Sequence, residues 1–295
     1  MGEEERTGAD CIETRPKSID EPAPAFQPAP RPATLRRVTA DDRWNPDQYA
    51  RFRDQRRLPF DDLCALLRPL ERPSIVDLGC GPGELTADLH RRLGARQTIG
   101  VDTSEAMLVK ARPLAGGGLR FEQGDAGAWS GDPCDLVFSN AALHWVPDHE
   151  ALLPRLAALV APGGQLAVQV PVNDHHPSHA EARAVAGEAP FREALGGHQR
   201  ESPVLEPERY AELLFRLGFA ERRVRLEVYG HELASRDEVV EWVRGTTLTD
   251  YERRLPAALW PAFLERYRAR LAERLPDQRP FLYTFRRLLL WGWRG

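Results

Sequence analysis

One short segment constrains the fold more than any other, namely Val76-Asp77-Leu78-Gly79-Cys80-Gly81-Pro82-Gly83. It completes the short apolar run Ser74–Leu78, whose lack of alternation is typical of a strand buried on both faces. Three alternating glycines follow, and then a helical pattern with Leu85, Leu89 and Leu93 on one face. Glycine lets the backbone turn sharply and lets a ligand lie directly against it. The segment therefore predicts a strand–turn–helix unit of an open α/β sheet, with a ligand site at the turn.

The alternation of strands and helices continues along the chain. We predict further strands at Thr98–Asp102, Leu119–Glu122, Asp135–Ser139, Gln165–Val170, Val224–Tyr229 and Phe281–Trp293. Helices are predicted near 59–70, at 104–112 with Ser104 as its cap, over Leu152–Val160 with a stop at Pro162-Gly163-Gly164, at 207–217 and between 235 and 275. Helices between successive strands indicate βαβ units, a parallel sheet and right-handed crossovers.

The composition changes twice along the chain. Residues 1–40 contain six prolines and few large apolar groups, which predicts a disordered tail. Residues 41–295 read as the folded domain. Within it, residues 172–205 are polar and carry His175, His176 and His179, which we interpret as a solvent loop rather than a metal site. We expect 172–205 and 235–275 to be insertions over the C-terminal edge of the sheet.

Charge and cysteine usage narrow the class of partner. Forty basic and 44 acidic side chains leave a formal charge of −4, which gives no general attraction to nucleic acid or anionic lipid. No apolar run approaches the roughly 20 residues that cross a bilayer, and no secretory signal pattern follows Glu3-Glu4-Glu5. The cysteines (Cys11, Cys64, Cys80, Cys134) are widely spaced, which favours free thiols. We expect a cytoplasmic enzyme of small molecules without nucleic acid, membrane or obligate protein partner.

Acidic residues end the first three strands. The glycines follow the spacing G-x-G-x-G, two residues after Asp77, whereas a dinucleotide fingerprint has G-x-G-x-x-G and receives a pyrophosphate. An acidic strand end suits a positively charged ligand better than a diphosphate. Asp102 ends the next strand, where its carboxylate can accept two ribose hydroxyls, and Asp125 follows the third strand, where it can accept from an adenine amino group.

This ordered set resembles the class I S-adenosylmethionine (SAM)-dependent methyltransferases, from Ser74 to Pro171. The resemblance implies SAM as cofactor and a doubly wound, mostly parallel seven-stranded sheet whose last strand is antiparallel. The residues that it places at the cofactor are Asp77, Gly79, Cys80, Gly81, Gly83, Asp102, Thr103, Met107, Asp125, Ala126 and Asn140.

A narrower resemblance, to the trans-aconitate 2-methyltransferase family, extends over most of the chain. It is carried by Trp44-Asn45-Pro46, Asp77–Gly83, Ser104–Met107, Asn140–Trp145, Pro147-Asp148-His149, Ala167–Pro171, Trp242-Val243, Gly245-Thr246 and Arg287-Leu288. The chain departs from the family pattern at His144, where glutamine is usual, at Glu105, where proline is usual, and at Val170, where methionine is usual. The resemblance implies methyl transfer to a carboxylate of a small polycarboxylic acid.

Such a reaction does not require the protein to supply an acid or a base. A carboxylate is already ionised at neutral pH, so we expect no catalytic base and no metal, only orientation of the two reactants. Arginine suits carboxylate binding because its planar fork bonds both oxygens. Further candidates at the cofactor mouth are Arg43, Arg53, Arg57, Arg286 and Arg287. The predicted substrate-binding residues are Trp44, Tyr49, Arg56, His144, Trp145 and Arg244.

Other functions remain open from the residues alone. The same fold could methylate another small molecule, such as an acyl-carrier-bound carboxylate, a phenol or a quinone. It could also bind SAM without catalysis, as a regulator. A nicotinamide dehydrogenase is disfavoured by the glycine spacing.

Overall fold

The computed structural model describes the backbone of residues 53–295 and the side chains from Arg57 onward. The predicted tail 1–40 and the predicted substrate residues Trp44 and Tyr49 lie outside the described residues, as does the side chain of Arg56. Among the helices of the described part, none is long and apolar enough to cross a membrane.

Seven strands form one sheet. They are β1 (Ser74–Leu78), β2 (Gln97–Asp102), β3 (Leu119–Gln123), β4 (Cys134–Asn140), β5 (Val160–Pro171), β6 (Glu221–Leu233) and β7 (Phe281–Trp293), in the order β3-β2-β1-β4-β5-β7-β6. Neighbours from β3 to β5 pair in parallel, and β7 is antiparallel to both β5 and β6. The predicted doubly wound sheet with an antiparallel last strand is confirmed.

Ten α-helices connect or cover these strands within residues 53–295. They are α1 (Arg53–Cys64), α2 (Glu84–Arg92), α3 (Glu105–Ala111), α4 (His149–Ala158), α5 (Pro177–Ala186), α6 (Phe191–Ala194), α7 (Pro207–Arg216), α8 (Glu238–Arg244), α9 (Thr247–Arg254) and α10 (Trp260–Arg274). The Ser104 hydroxyl caps α3, as predicted, by accepting from the Met107 amide.

Both faces of the sheet are covered, which explains why its central strands lack alternation. On one face α1 and α2 pack against Ile75, Phe138 and Ala167. On the other face α4 and α7 pack against Val76, Val137, Val168 and Leu288. Ligand access to this sheet is therefore restricted to its edges, where strands end.

A third core lies beyond the carboxyl edge. The pairing of β5 with β7 stops at Pro171–Arg287, whereas β6 and β7 remain paired to Leu233–Phe281. This ribbon projects six residues of β7 past β5, about 20 Å at 3.4 Å per residue. Helices α5, α6, α8, α9 and α10 bury their apolar sides against the ribbon and one another. We call these five helices with the projecting ribbon the cap.

Three local predictions were wrong. The helix expected near 59–70 is α1, which spans Arg53–Cys64 and contains Pro59. Pro162-Gly163-Gly164 lies inside β5 instead of before it, and a register irregularity between Cys134 and Leu136 accommodates it. The segment with three histidines is not a solvent loop, because His176 caps α5 and His179 is only 9 % exposed. His179 lies on α5 of the cap, so tertiary burial decides its environment, which the local spacing of apolar residues does not indicate.

Candidate active site

The glycine turn between β1 and α2 leaves an open cradle. Gly79, Gly81 and Gly83 all have positive φ, at 82°, 55° and 80°. A Cβ at Gly79 would meet Ala142 Cβ at 2.0 Å, and one at Gly83 would meet Phe121 at 2.7 Å, so these two glycines allow close packing. A Cβ at Gly81 would meet nothing within 4 Å. Gly81 is therefore the position at which a ligand can lie against the backbone.

Asp77 lies directly under this turn. Its carboxylate is 5 % exposed and accepts a hydrogen bond from the Thr86 hydroxyl of α2 at 2.6 Å. Burial raises the pKa of Asp77 to about 7, with a further increase from the charge of Asp102 and a decrease from the Thr86 bond. A buried carboxylate with so high a pKa is stabilised by a nearby positive charge, as an ammonium group would provide.

Asp102 is oriented toward the same turn. The Gly81 amide donates to its Oδ2 at 2.8 Å, and the Ser104 amide donates to its Oδ1 at 2.9 Å. Each carboxylate oxygen keeps a second lone pair, so two further donors, such as vicinal hydroxyls, can bind. Burial raises the pKa of Asp102, and the amide bonds oppose that rise.

The other predicted cofactor residues lie around these two aspartates. The Thr103 carbonyl accepts from the Gln123 side chain at 3.1 Å, which joins the ends of β2 and β3. Met107 is buried, and Ala126 packs against the core under α4. Asp125 is exposed, and its Oδ1 accepts from the Gly127 amide at 2.8 Å. Cys80 is buried, and burial raises the pKa of its thiol, which favours a packing role.

A row of polar side chains crosses the carboxyl ends of β4, β5 and β7. Asn140 pairs with Gln169 across β4 and β5, and Arg287 pairs with Pro171 across β5 and β7. Gln169 is fully buried, yet neither atom of its amide has a hydrogen-bond partner among the described residues; the same holds for Asn140 Oδ1. A buried polar group without a partner costs about 1–3 kcal/mol. A ligand that supplies the missing partners would recover that free energy.

His144 and Trp145 lie beside this row, in a short 3-10 turn over Leu143–Trp145. The turn is fixed from below: His149 Nε2 donates to the Leu143 carbonyl at 3.0 Å, and His149 Nδ1 accepts from the Tyr210 hydroxyl. His144 Nδ1 and Trp145 Nε1 are buried atoms without a partner among the described side chains. Burial, followed by the charges of Arg200 and Arg287, lowers the pKa of His144, so this imidazole is neutral at physiological pH.

Two of the other predicted arginines, Arg57 and Arg244, form ion pairs elsewhere, whereas Arg43 and the side chains of Arg53 and Arg56 lie outside the described residues. Arg57 donates to Asp88 of α2 at 2.6 Å on the surface. Arg244 approaches Glu241 at 3.8 Å and Glu252 at 4.0 Å, within the cap, so its role at the substrate stays a prediction. No group of three histidine, cysteine or acidic side chains within residues 57–295 is arranged to hold a metal ion.

The sequence did not predict a place in the site for Gln169, His179 or Arg200. A signal existed for Gln169, because Gln165 and Gln169 are the polar residues on one face of an otherwise apolar strand. Gln165 is satisfied by the Trp291 indole at 2.8 Å, whereas Gln169 is not. The sequence has no corresponding signal for Arg200, whose position depends on how the cap folds back.

The strand order, the glycine cradle and the acidic strand ends define a class I SAM-dependent methyltransferase. Residues 75–164 match the family model described as "Methyltransferase domain". The YcgJ protein of Bacillus subtilis shares the fold at a TM-score of 0.52 and 14 % identity, over 81 % of this chain and 98 % of that one. A candidate methyltransferase of Bacillus halodurans C-125 shares it at a TM-score of 0.51 and 16 % identity, over 80 % and 98 %.

Curated relatives narrow the class to a family. The trans-aconitate 2-methyltransferase of Deinococcus radiodurans is 45 % identical over 83 % of this chain and 96 % of its own. The Variovorax paradoxus relative of that name is 43 % identical over 79 % of this chain and 90 % of its own. The Streptomyces coelicolor relative is also 43 % identical, over 80 % of this chain and 81 % of its own. The chain belongs to the trans-aconitate 2-methyltransferase family, and its cofactor is SAM.

Proposed function

We propose that this enzyme transfers the methyl group of SAM to one carboxylate of trans-aconitate, giving a monomethyl ester and S-adenosylhomocysteine (SAH). The relatives described above carry that activity in their names. The observation in the structure that supports it is the fully buried Gln169, whose amide lacks partners beside Asn140 and Arg287 at the carboxyl edge. A group of polar and cationic side chains of this kind fits a carboxylate better than a phenol or quinone ring.

We assign the cofactor to the cradle of β1, β2 and β3. The open space at Gly81 would receive the cofactor against the backbone, Asp102 would accept the ribose hydroxyls, and Asp77 would stabilise the ammonium of its methionine part. Asp125, Thr103, Met107 and Ala126 would enclose the adenine end. Bound SAM supplies a methyl group already activated by a sulfonium.

The protein's part in the reaction is then orientation. A substrate carboxylate is ionised at neutral pH, so no residue has to remove a proton. Asn140 and Gln169 lie side by side at the ends of β4 and β5, between the cofactor cradle and Arg287. We assign to them the placement of the reacting carboxylate, since an amide N–H can donate to one of its oxygens and leave the other free. Alignment of this kind can contribute roughly 7–11 kcal/mol in favourable cases.

The cap would separate the reaction from water. Its helices cover the projecting ribbon of β6 and β7, Arg244 ends the cap helix α8, and Trp145 contacts Arg200 of the loop that follows α6. The family resemblance also assigns Trp44, Tyr49 and Arg56 to the substrate, and this assignment stays a prediction. We also infer a cytoplasmic location, which agrees with the free thiols of Cys64, Cys80 and Cys134; cell fractionation tests it.

A labelling assay tests the proposed reaction. Purified protein is incubated with methyl-labelled SAM and, separately, trans-aconitate, cis-aconitate, citrate and isopropylmalate. We expect alkali-labile label on trans-aconitate, and a raised KM in Arg56→Ala. SAH binding in a thermal-shift assay reports on the cofactor site independently. Binding of SAH without label on any acid would refute the substrate while leaving the methyltransferase fold intact.

A further inference from the structure

We propose that Arg200, in the loop between α6 and α7, binds a substrate carboxylate other than the one that is methylated, and so makes the enzyme selective for polycarboxylates. The inference rests on the proposed function and deepens it. Arg200 belongs to none of the sequence motifs by which the family was recognised, and only the folded cap brings it to the site.

The first observation is the position of the Arg200 side chain. Its guanidinium carbon lies 4.2 Å from the centre of the Trp145 ring. Trp145 in turn lies against His144, with ring centroids 4.9 Å apart. A guanidinium stacked on an aromatic face keeps its N–H groups in the plane of the fork, free for bidentate bonding. Arg200 is thereby held over the turn that follows β4.

The second observation is the charge balance around Arg200. Within residues 57–295 no carboxylate forms an ion pair with Arg200, although Asp174 and Asp250 are near enough to influence its pKa. Asp250 already bonds His198 at 2.7 Å and Arg254 at 2.9 Å. Asp174 approaches Arg183 at 3.6 Å. A half-buried guanidinium that lacks its own carboxylate is costly to maintain, and an anionic ligand would offset that cost.

The third observation is a second arginine at the carboxyl edge of the sheet, Arg287, which lies opposite Pro171 and 4.5 Å from the centre of the Phe285 ring. The charges of Arg200 and Arg287 both lower the pKa values of His144 and His179, and the charge of Arg183 also lowers that of His179. Burial lowers the pKa of His179 to about 3. Both imidazoles are therefore neutral, so the positive charge near them comes from arginines, Arg200 and Arg287 among them. Two cations suit two carboxylates of a tricarboxylate, and the third carboxylate remains for the methyl group.

The loop that carries Arg200 is fixed at both ends. The Arg200 amide donates to the Tyr251 hydroxyl of α9 at 3.2 Å. The Leu205 amide donates to the Tyr210 hydroxyl at 3.2 Å, and Tyr210 also bonds His149, which supports the Leu143–Trp145 turn. The same buried tyrosine therefore connects the Arg200 loop to the turn beneath it. This connection preorganises the guanidinium before substrate binds.

The test uses the full-length enzyme and three variants. Arg200→Gln removes the charge, Arg200→Lys keeps the charge without the fork, and Arg192→Gln is the control, since Arg192 is an exposed cap arginine beside Glu193. We expect KM for trans-aconitate to rise about 10- to 100-fold in Arg200→Gln and less in Arg200→Lys, with kcat changed less than threefold. Arg192→Gln should behave as wild type, and all proteins should keep their thermal shift with SAH.

Dicarboxylate analogues show whether Arg200 contacts a carboxylate. Itaconate, glutaconate and mesaconate each lack a different carboxylate of trans-aconitate and serve as competitive inhibitors. For one of them, the inhibition constants of wild type and Arg200→Gln should be nearly equal, because the missing carboxylate is the partner of Arg200. An equal penalty for all three acids and for trans-aconitate would overturn the inference, as would an unchanged KM in both Arg200 variants. Wild-type protein that labels no acid would overturn the proposed function as well.

Discussion

The glycine turn permits a prediction that separates packing from ligand binding. Gly79→Ala places a Cβ 2.0 Å from Ala142 Cβ, about 1.5 Å closer than an ordinary carbon–carbon contact. The left-handed backbone adds about 1–2 kcal/mol for any residue other than glycine, and overpacking adds about 1–3 kcal/mol. We expect the free energy of unfolding to fall by about 2–5 kcal/mol, and Tm by roughly 4–20 °C for a domain of this size.

Gly81→Ala should behave differently, although its φ of 55° is also left-handed. Its Cβ would meet nothing within 4 Å, so only the conformational cost of about 1–2 kcal/mol remains. Tm should fall by roughly 2–8 °C. The same Cβ would, however, occupy the space assigned to the cofactor, and we expect SAH affinity to fall at least tenfold.

Differential scanning fluorimetry with and without SAH, together with calorimetric titration, measures both effects. The double variant Gly79→Ala/Ala142→Gly removes the Cβ–Cβ overlap and should recover the packing part of the loss, but not the conformational part. If Gly81→Ala keeps SAH affinity within threefold, the cofactor does not lie against this turn. If the double variant is no more stable than Gly79→Ala, the 2.0 Å contact is not the cause of the loss.

Three further predictions concern buried polar groups. Folding raises the pKa of Asp77 to about 7. The stability that protonated Asp77 contributes is therefore complete below about pH 4 and is lost as pH rises to about 7, by on the order of 4 kcal/mol. Asp77→Asn should flatten this part of the Tm–pH profile, and an unchanged profile would contradict the raised pKa of Asp77. Gln169→Leu removes an amide without partners and should raise Tm by roughly 2–10 °C while lowering kcat/KM at least tenfold. If Tm falls together with kcat/KM, the amide supports the fold. Glu181→Gln weakens the contacts of this buried carboxylate with Arg270 at 2.7 Å and Arg274 at 3.1 Å. It should lower the free energy of unfolding in urea by only about 1–2 kcal/mol, since Arg270 is partly exposed and Arg274 is exposed; unchanged SAH affinity would confine the effect to the cap.

Much of the fold followed from local patterns. The run Ser74–Leu78 and the segment Phe281–Trp293 were predicted with the bounds that the structure shows, and Ser104 was identified as a cap from its side chain alone. The cap was harder to predict from the sequence, because its helices come from distant parts of the chain and bury residues against one another. His179 looks like part of a polar loop in the sequence, yet α5 and β7 enclose it.

The sequence by itself was enough to predict the residues that we assign to the cofactor. Strand, glycine turn and helix follow one another within a few residues around Asp77 and Gly81, and Asp102 ends the next strand, so local patterns place all three at one edge of the sheet. The residues that we propose for the substrate are brought together only by the tertiary structure. Gln169 and Arg287 come from antiparallel neighbours more than a hundred residues apart, and Arg200 comes from a loop that only the packed cap directs over Trp145. Contacts of that range depend on how whole elements pack, which no local pattern of residues specifies.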